Sequence, residues 1–434
     1  MKYSSTRAMA PAVDLGTALV AGLAPDGGLY VPQSLPQFRI ADFDGCTDLA
    51  GVATTALQPF FAGDALAPQL DAICTEALDI AIPLRRLAPH TQSLELFHGP
   101  TAAFKDFGAR FLAACLSRLR PPAAKTLTVL VATSGDTGAA VAAAFHLRCG
   151  FRVVILYPDG RVAPRQAHQL GCFGDNITTL RVAGSFDDCQ ALVKRALNDD
   201  ALKSDVPLTS ANSISLGRLL PQMTYFAHAA LMHWRQSGTE LNVVIPTGNL
   251  GNALGCVLAR RLGLPIGAIT LATNANRVLP DYFSGADYTP RASVATLANA
   301  MDVGAPSNFE RLRWLYPDAA ELRTCVNAEA VDDEEIRDII RTSAQRYGIV
   351  PCPHTATALR VLERRRASGD PRDYAVAATA HPAKFDSIVE ALTGSVVDVP
   401  DTLAALLARP SHGEPMAADY AMLSERLSTA DREA

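Results

Sequence analysis

Residues 126–147 read TLTVLVATSGDTGAAVAAAFHL: a β-branched and leucine run, a turn of Thr, Ser, Gly and Asp, then an alanine-rich segment of helical composition. A strand covered on both faces is apolar without alternation, and one that feeds a helix through a tight turn predicts a parallel α/β sheet. The grammar recurs on either side. FRVVILYP (151–158) leads through a Pro/Gly turn into PRQAHQL, and ITTLRVA (177–183) is followed by Ser185, an N-cap, and the helix FDDCQALVKRAL. A long helical stretch spans about 213–236. NVVIPTG then leads through NLGN into ALGCVLARRLG, IGAITLATN supplies a further strand, and YAVAATA runs into PAKFDSIVEAL. VDDEEIRDIIRTSAQRYG and HTATALRVLERRR carry the spacing of amphipathic helices. The fold class is α/β.

Residues 1–90 lack this rhythm and are punctuated by Pro and Gly, as in APDGGLYVPQSLP, which marks a separate N-terminal domain. The expected organisation assigns 91–125 and 213–400 to a large α/β domain, 126–212 to a small mobile α/β domain, and 401–434 to a tail packed on the surface. A chain of 434 residues is long enough for such units to share a sizeable core.

Composition excludes several classes. Lys and Arg number 39 against 44 Asp and Glu, a net charge of −5 with no basic block, which argues against a nucleic-acid partner. No run of about 18 uncharged apolar residues suggests a membrane span, and the start lacks a secretory pattern, so a cytoplasmic location is expected. The nine cysteines are scattered without paired spacing and read as reduced core residues. Cys352-Pro353-His354 groups two metal-ligand types, but without a second pair no metal site is expected.

Two turns are rich enough to be anion cradles: Thr133-Ser134-Gly135-Asp136-Thr137-Gly138 and Thr247-Gly248-Asn249-Leu250-Gly251-Asn252. Each lies where a helix start offers unpaired N–H groups and partial positive charge. Caps and tight turns use the same residue types, so neither turn alone decides anything. GxxxxGK[ST] is absent, as is GxGxxG with a downstream ribose-binding acid, which weakens a nucleotide hydrolase and a dehydrogenase. Asp136 would repel a polyphosphate, whereas the second cradle carries no acid and suits a phosphate monoester.

A lone lysine completes the set. ELFHGPTAAFKDFGARF (95–111) places Lys105 among four phenylalanines, with a turn on each side. Desolvation there lowers the amine's pKa, and a neutral amine is what imine formation requires. An activated lysine, a phosphate cradle and a carboxylate cradle are the parts of a pyridoxal 5'-phosphate enzyme acting on an amino acid.

These motifs resemble the threonine synthase family, of fold-type II (tryptophan synthase β-like) architecture: two parallel-sheet α/β domains plus an N-terminal domain. The resemblance runs nearly end to end, through GLAPDGGLYVP (22–32), the Lys105 segment, ATSGDTGAAVAAAF (132–145), SANSIS (210–215), PTGNLGN, LANAMDV (297–303) and ATAHPAKF (378–385). It implies that Lys105 is the Schiff-base lysine and also moves protons at the substrate's Cα and Cβ. It implies that Gly248, Asn249, Leu250, Gly251 and Asn252 hold the cofactor phosphate, with Thr247 adding a hydroxyl, and that Thr379 meets the pyridine nitrogen. Ser134, Gly135, Asp136 and Thr137 would receive the substrate carboxylate. Asn212, Ser213, Arg218 and Lys384 are candidates for the substrate phosphate, with His381 and Arg110 weaker. Asn252 stands where many relatives carry Asp, which makes the cradle less negative.

The implied reaction converts O-phospho-L-homoserine and water to L-threonine and phosphate, by a monomer or homodimer without metal. A serine/threonine dehydratase or a β-replacing enzyme of the same fold shares the lysine and the glycine loop, but not the SGDTG and AHPAKF pair. A noncatalytic ligand-binding relative would have no use for an intact Lys105 beside both cradles.

Overall fold

A computed structural model describes residues 1–121 and 123–429. Two parallel sheets dominate it. The larger has six strands in the order Val326–Ala330, Ile266–Thr273, Leu241–Pro246, Tyr374–Ala378, Thr91–Glu95, Leu84–Ala88, parallel except for the antiparallel pairing of the last two. The smaller has five parallel strands in the order Glu414–Ala417, Ile177–Ala183, Phe151–Pro158, Leu127–Ala132, Leu208–Ser210. Strand Leu127–Ala132 is buried at every position, as its unbroken apolar run requires with helices on both faces.

Two boundaries differ from the sequence reading. Strand Leu84–Ala88, which a boundary at 90 gives to the N-terminal unit, is the edge of the large sheet, registered Leu84 to Leu94. None of its residues is buried and Arg85 and Arg86 are exposed, so LRRLA carries no apolar signal that would mark it as sheet. The tail also does more than cover the surface: Glu414–Ala417 pairs in parallel with Ile177–Ala183, and Leu423 and Leu427 enter the small-domain core. An edge strand only four residues long, with a proline in it, gives no period-two pattern to read. Residues 430–434 of the predicted tail lie outside the described residues.

The helix Leu216–Ser237 organises the interior. It packs against Leu49–Phe61 of the N-terminal region, against Lys105–Leu119 and against Gly251–Arg261, so one hydrophobic core runs through all of them. Its contact with the lysine-bearing helix depends on Gly108. A Cβ there would lie 2.8 Å from Arg218 Nε and 2.9 Å from Arg218 O, both too close for any side chain. That approach sets the start of the Lys105 helix beside Arg218.

Candidate active site

Three strands end at one place. Ala132, Pro246 and Ala378 are the last residues of their strands, and the turns that follow carry SGDTG, GNLGN and Thr379. Ligands in open α/β sheets bind outside these carboxyl ends. The lysine segment is stitched to the last of them by a short antiparallel bridge between Ala103 and Ala380, where Phe104 N–H donates to Thr379 O at 2.9 Å and His381 N–H to Ala102 O at 3.0 Å. The turn before Lys105 is held from inside: Asp106 is buried and accepts from Thr101 N–H at 2.9 Å and Thr101 Oγ1 at 2.7 Å.

One cavity is lined by Phe104, Lys105, Asp136, Ser213, Arg218, Gln222, Thr247 to Asn252, Ala300, Met301, His354 and Thr379, so the amine and the second cradle face the same space. Lys105 as a residue is half-buried, but its amine is closed in, 4.5 Å from the Phe104 ring centroid. Burial, with the Arg218 guanidinium acting in the same direction and Asp136 opposing both, brings this amine down to about 8. At pH 8 about half the amines are then neutral, against well under one in a hundred for an ordinary lysine.

The 247–252 turn has the build of an anion cradle. Leu250 adopts a left-handed φ of 63°, rare for a leucine, immediately before the helix Gly251–Arg261, whose first amides have no intrahelical acceptor. Asn249 holds the turn rather than pointing inward: its Nδ2 donates to Ser213 Oγ at 2.8 Å and its Oδ1 accepts from Ser307 N–H at 2.5 Å. Asn252 Oδ1 accepts from Tyr225 Oη at 2.5 Å, which leaves Nδ2 buried without a partner among the described residues, and Arg218 Nε is likewise unpartnered among them. An orphaned amide donor in the cradle, beside a desolvated amine, is what an anionic cofactor with an aldehyde would satisfy, so the residues present fit pyridoxal phosphate. Thr379 is buried and lines the same cavity, with its hydroxyl free of partners among the described residues.

The first cradle divides. Ser134 and Thr137 are half-buried, without side-chain hydrogen bonds among the described residues, at the start of helix Asp136–Phe145. Gly135 has φ 136° and packs against Gln166. Asp136, the one residue of this turn that lines the cavity, is held in a buried pair with Lys384 Nζ at 3.0 Å and accepts from Gln166 Nε2 at 2.8 Å. Burial would raise this carboxyl, but the Lys384 ammonium together with the other groups around it, the Gln166 hydrogen bond included, outweighs that and holds Asp136 below the usual range. Lys384 is fully buried and also donates to Thr101 O at 2.6 Å, so two of its three donors are used inside the protein.

Of the other phosphate candidates, Ser213 and Arg218 line the cavity. Burial pushes Arg218 down to about 10, and it donates to Ala211 O at 2.5 Å. Asn212 instead bonds both ways to the backbone of Ala132, at 3.2 and 2.9 Å, tying its own segment to the end of a small-sheet strand. Arg110 caps the helix Leu70–Ala77 through Ala77 O and Glu76 O, and His381 packs edge-on against Phe97; neither lines the cavity. Sequence reasoning missed His354, Gln222 and Met301. Nothing in their spacing marks them, although LANAMDV and CPHTA are the segments that deliver two of them.

Among the described residues no cluster of His, Cys, Asp and Glu could hold a metal ion, and no helix is long and apolar enough to cross a membrane. All nine cysteines are free thiols.

Residues 82–383 match the pyridoxal-phosphate dependent enzyme family, which defines the class: the chain is a pyridoxal-phosphate-dependent enzyme. Residues 2–78 match the threonine synthase N terminus and 355–426 the threonine synthase C-terminal region. The threonine synthase of Escherichia coli K12 is 38% identical over 95% of each chain, and a solved structure of the E. coli enzyme superposes with a TM-score of 0.92 over 99% of this chain and 100% of that one, at 36% identity. The pyridoxal-phosphate-bound threonine synthase of Brucella melitensis superposes with a TM-score of 0.90 at 33% identity over the whole of both chains. The chain belongs to the threonine synthase family.

Proposed function

We propose that the enzyme converts O-phospho-L-homoserine and water to L-threonine and phosphate, the last step of threonine biosynthesis. The observation that carries this reading is the shared cavity, in which a desolvated lysine amine faces a phosphate cradle and a partner-free threonine hydroxyl. When bound, the cofactor supplies an electron sink conjugated to the substrate's Cα.

The protein's own groups do the rest. The amides of 248–252 with Asn252 Nδ2 hold the cofactor phosphate, and Thr379 Oγ1 meets the ring nitrogen as a neutral partner, which tunes the sink without forcing protonation. Ser134, Thr137 and the first amides of helix Asp136–Phe145 hold the substrate carboxylate. Arg218 and Ser213 take the substrate phosphate. Lys105 removes a proton from Cα and then one from Cβ, so that phosphate leaves from Cγ; water afterwards adds its oxygen at Cβ, and the protons return to Cγ and Cα. The buried Asp136–Lys384 pair ties the small-domain turn to the loop after Thr379, so the small domain, 126–212, closes on the carboxylate against a fixed anchor. We take the enzyme to be cytoplasmic, a monomer or homodimer with no nucleic-acid partner, in keeping with nine free thiols and a net charge of −5.

The test is phosphate release from O-phosphohomoserine, with threonine identified as product, run beside O-acetylserine and threonine as substrates. Threonine and phosphate in equal amounts are expected. A keto acid formed from threonine or serine, with no phosphate released from O-phosphohomoserine, refutes the reading in favour of a dehydratase.

A further inference from the structure

We propose that His354 is a positioning residue of the cofactor site, holding the turn 299–301 against the phosphate cradle through one fixed tautomer; the inference rests on the cradle assignment made above. His354 lies in the first turn of helix Pro353–Ala367, is buried, and lines the cavity together with Lys105, Asp136 and Thr379. Its Nε2 is 3.1 Å from the backbone nitrogen of Ala300. A backbone N–H can only donate, so Nε2 carries the lone pair and the neutral ring keeps its hydrogen on Nδ1. Nδ1 lies 4.0 Å from Cys352 Sγ, the thiol that caps the same helix at Thr355 N–H.

What the imidazole holds is in direct contact with the cradle. Ala300 is the middle residue of the 3-10 turn Asn299–Met301, and the backbone of Met301 lies against Gly248. A Cβ on residue 248 would come within 2.8 Å of Met301 Cα, so any shift of the turn is transmitted to the first residue of the phosphate loop. A second side-chain anchor ties the turn to the site: Asn299 Nδ2 donates to Gln166 Oε1 at 3.3 Å, and Gln166 in turn donates to Asp136 at 2.8 Å. An apolar residue at 354 would pack against Phe385, whose ring centroid is 5.0 Å away, but would leave Ala300 N–H without its acceptor. Burial pushes the imidazole down to about 4; Lys105 and Lys384 work in the same direction, and Asp136 opposes them. The acceptor is therefore neutral near pH 7.

The experiment compares two amides of equal polarity. In His354→Gln the side-chain oxygen reaches the position of Nε2, whereas in His354→Asn it is one methylene short. Apoprotein of each, and of His354→Leu, is titrated with pyridoxal phosphate and followed by absorbance, with melting of the apo forms recorded alongside. The Gln variant should bind within about threefold of wild type and the Asn and Leu variants at least about tenfold more weakly, the scale of one lost hydrogen bond to a buried group. Equal weakening in Gln and Asn, weakening in Gln alone, or no weakening in either overturns the proposal. Should Leu fail to fold, the Gln and Asn pair still decides. Failure of the wild-type apoprotein to bind at all would instead count against the cofactor cradle.

Discussion

Removing the Lys384 ammonium alone should destabilise the protein far more than removing it together with its partner. Lys384 Nζ and Asp136 Oδ1 are 3.0 Å apart, with side-chain exposures of 0% and 5%. At an effective permittivity near 20 their attraction is about 5–6 kcal/mol, most of it needed to offset the dehydration of two charges. Lys384→Met keeps the side-chain length but leaves Asp136 a dry carboxylate with Gln166 as its remaining side-chain donor. Breaking a buried pair in this way costs about 3–5 kcal/mol. In the double variant Asp136→Asn/Lys384→Met no charge remains, and the new amide still accepts from Gln166, so the cost should fall by at least about 2 kcal/mol relative to Lys384→Met. The assay is urea unfolding of the four apoproteins at pH 7.5. Asp136 is held below its ordinary 3.8, so its stabilisation is complete above that value and is lost only as pH falls through the lower folded one; at pH 7.5 the whole effect is read. A loss below about 1 kcal/mol for Lys384→Met, or strictly additive single variants, would refute the claim that the pair anchors the small-domain turn.

Gly108→Ala should cost about 1–3 kcal/mol and weaken substrate binding, because its Cβ would press on Arg218 Nε and O at 2.8 and 2.9 Å; melting curves and KM measured together check this, and an unchanged KM would separate Arg218 from the substrate. The rate at which apoprotein takes up pyridoxal phosphate should rise with pH and level off above about 8, with roughly a tenth of the plateau rate at pH 7, because the neutral Lys105 amine is the reacting form. A stopped-flow profile still climbing towards pH 10 would mean that the amine is not desolvated in the way described.

Much of the fold and part of the site could be read without coordinates, for definite physical reasons. Strands such as Leu127–Ala132 and Leu241–Pro246 are buried on both faces, so their composition alone marks them as central strands. The phenylalanines around Lys105 already announce a desolvated amine, because the ring that flanks it is its sequence neighbour, Phe104. Contacts between distant segments were not legible. Asp136 and Lys384 are 248 positions apart, and as isolated residues in polar turns they read as substrate ligands rather than as partners for each other. Asn212 looks like a phosphate donor until its amide is seen closed onto Ala132. Cys352 and His354 lack the second ligand pair a metal site needs, and their spacing carries no sign of an imidazole acting as acceptor for Ala300. The edge strands Leu84–Ala88 and Glu414–Ala417 escaped notice because an edge needs neither β-branched residues nor alternation.

The account depends most on the identity of the amine that meets the cofactor. Holoenzyme treated with borohydride and digested should yield one peptide carrying the reduced pyridoxyl group, on Lys105, with loss of the visible band; Lys105→Ala should show neither band nor adduct. An adduct on any other lysine, or a band that survives in Lys105→Ala, would contradict it.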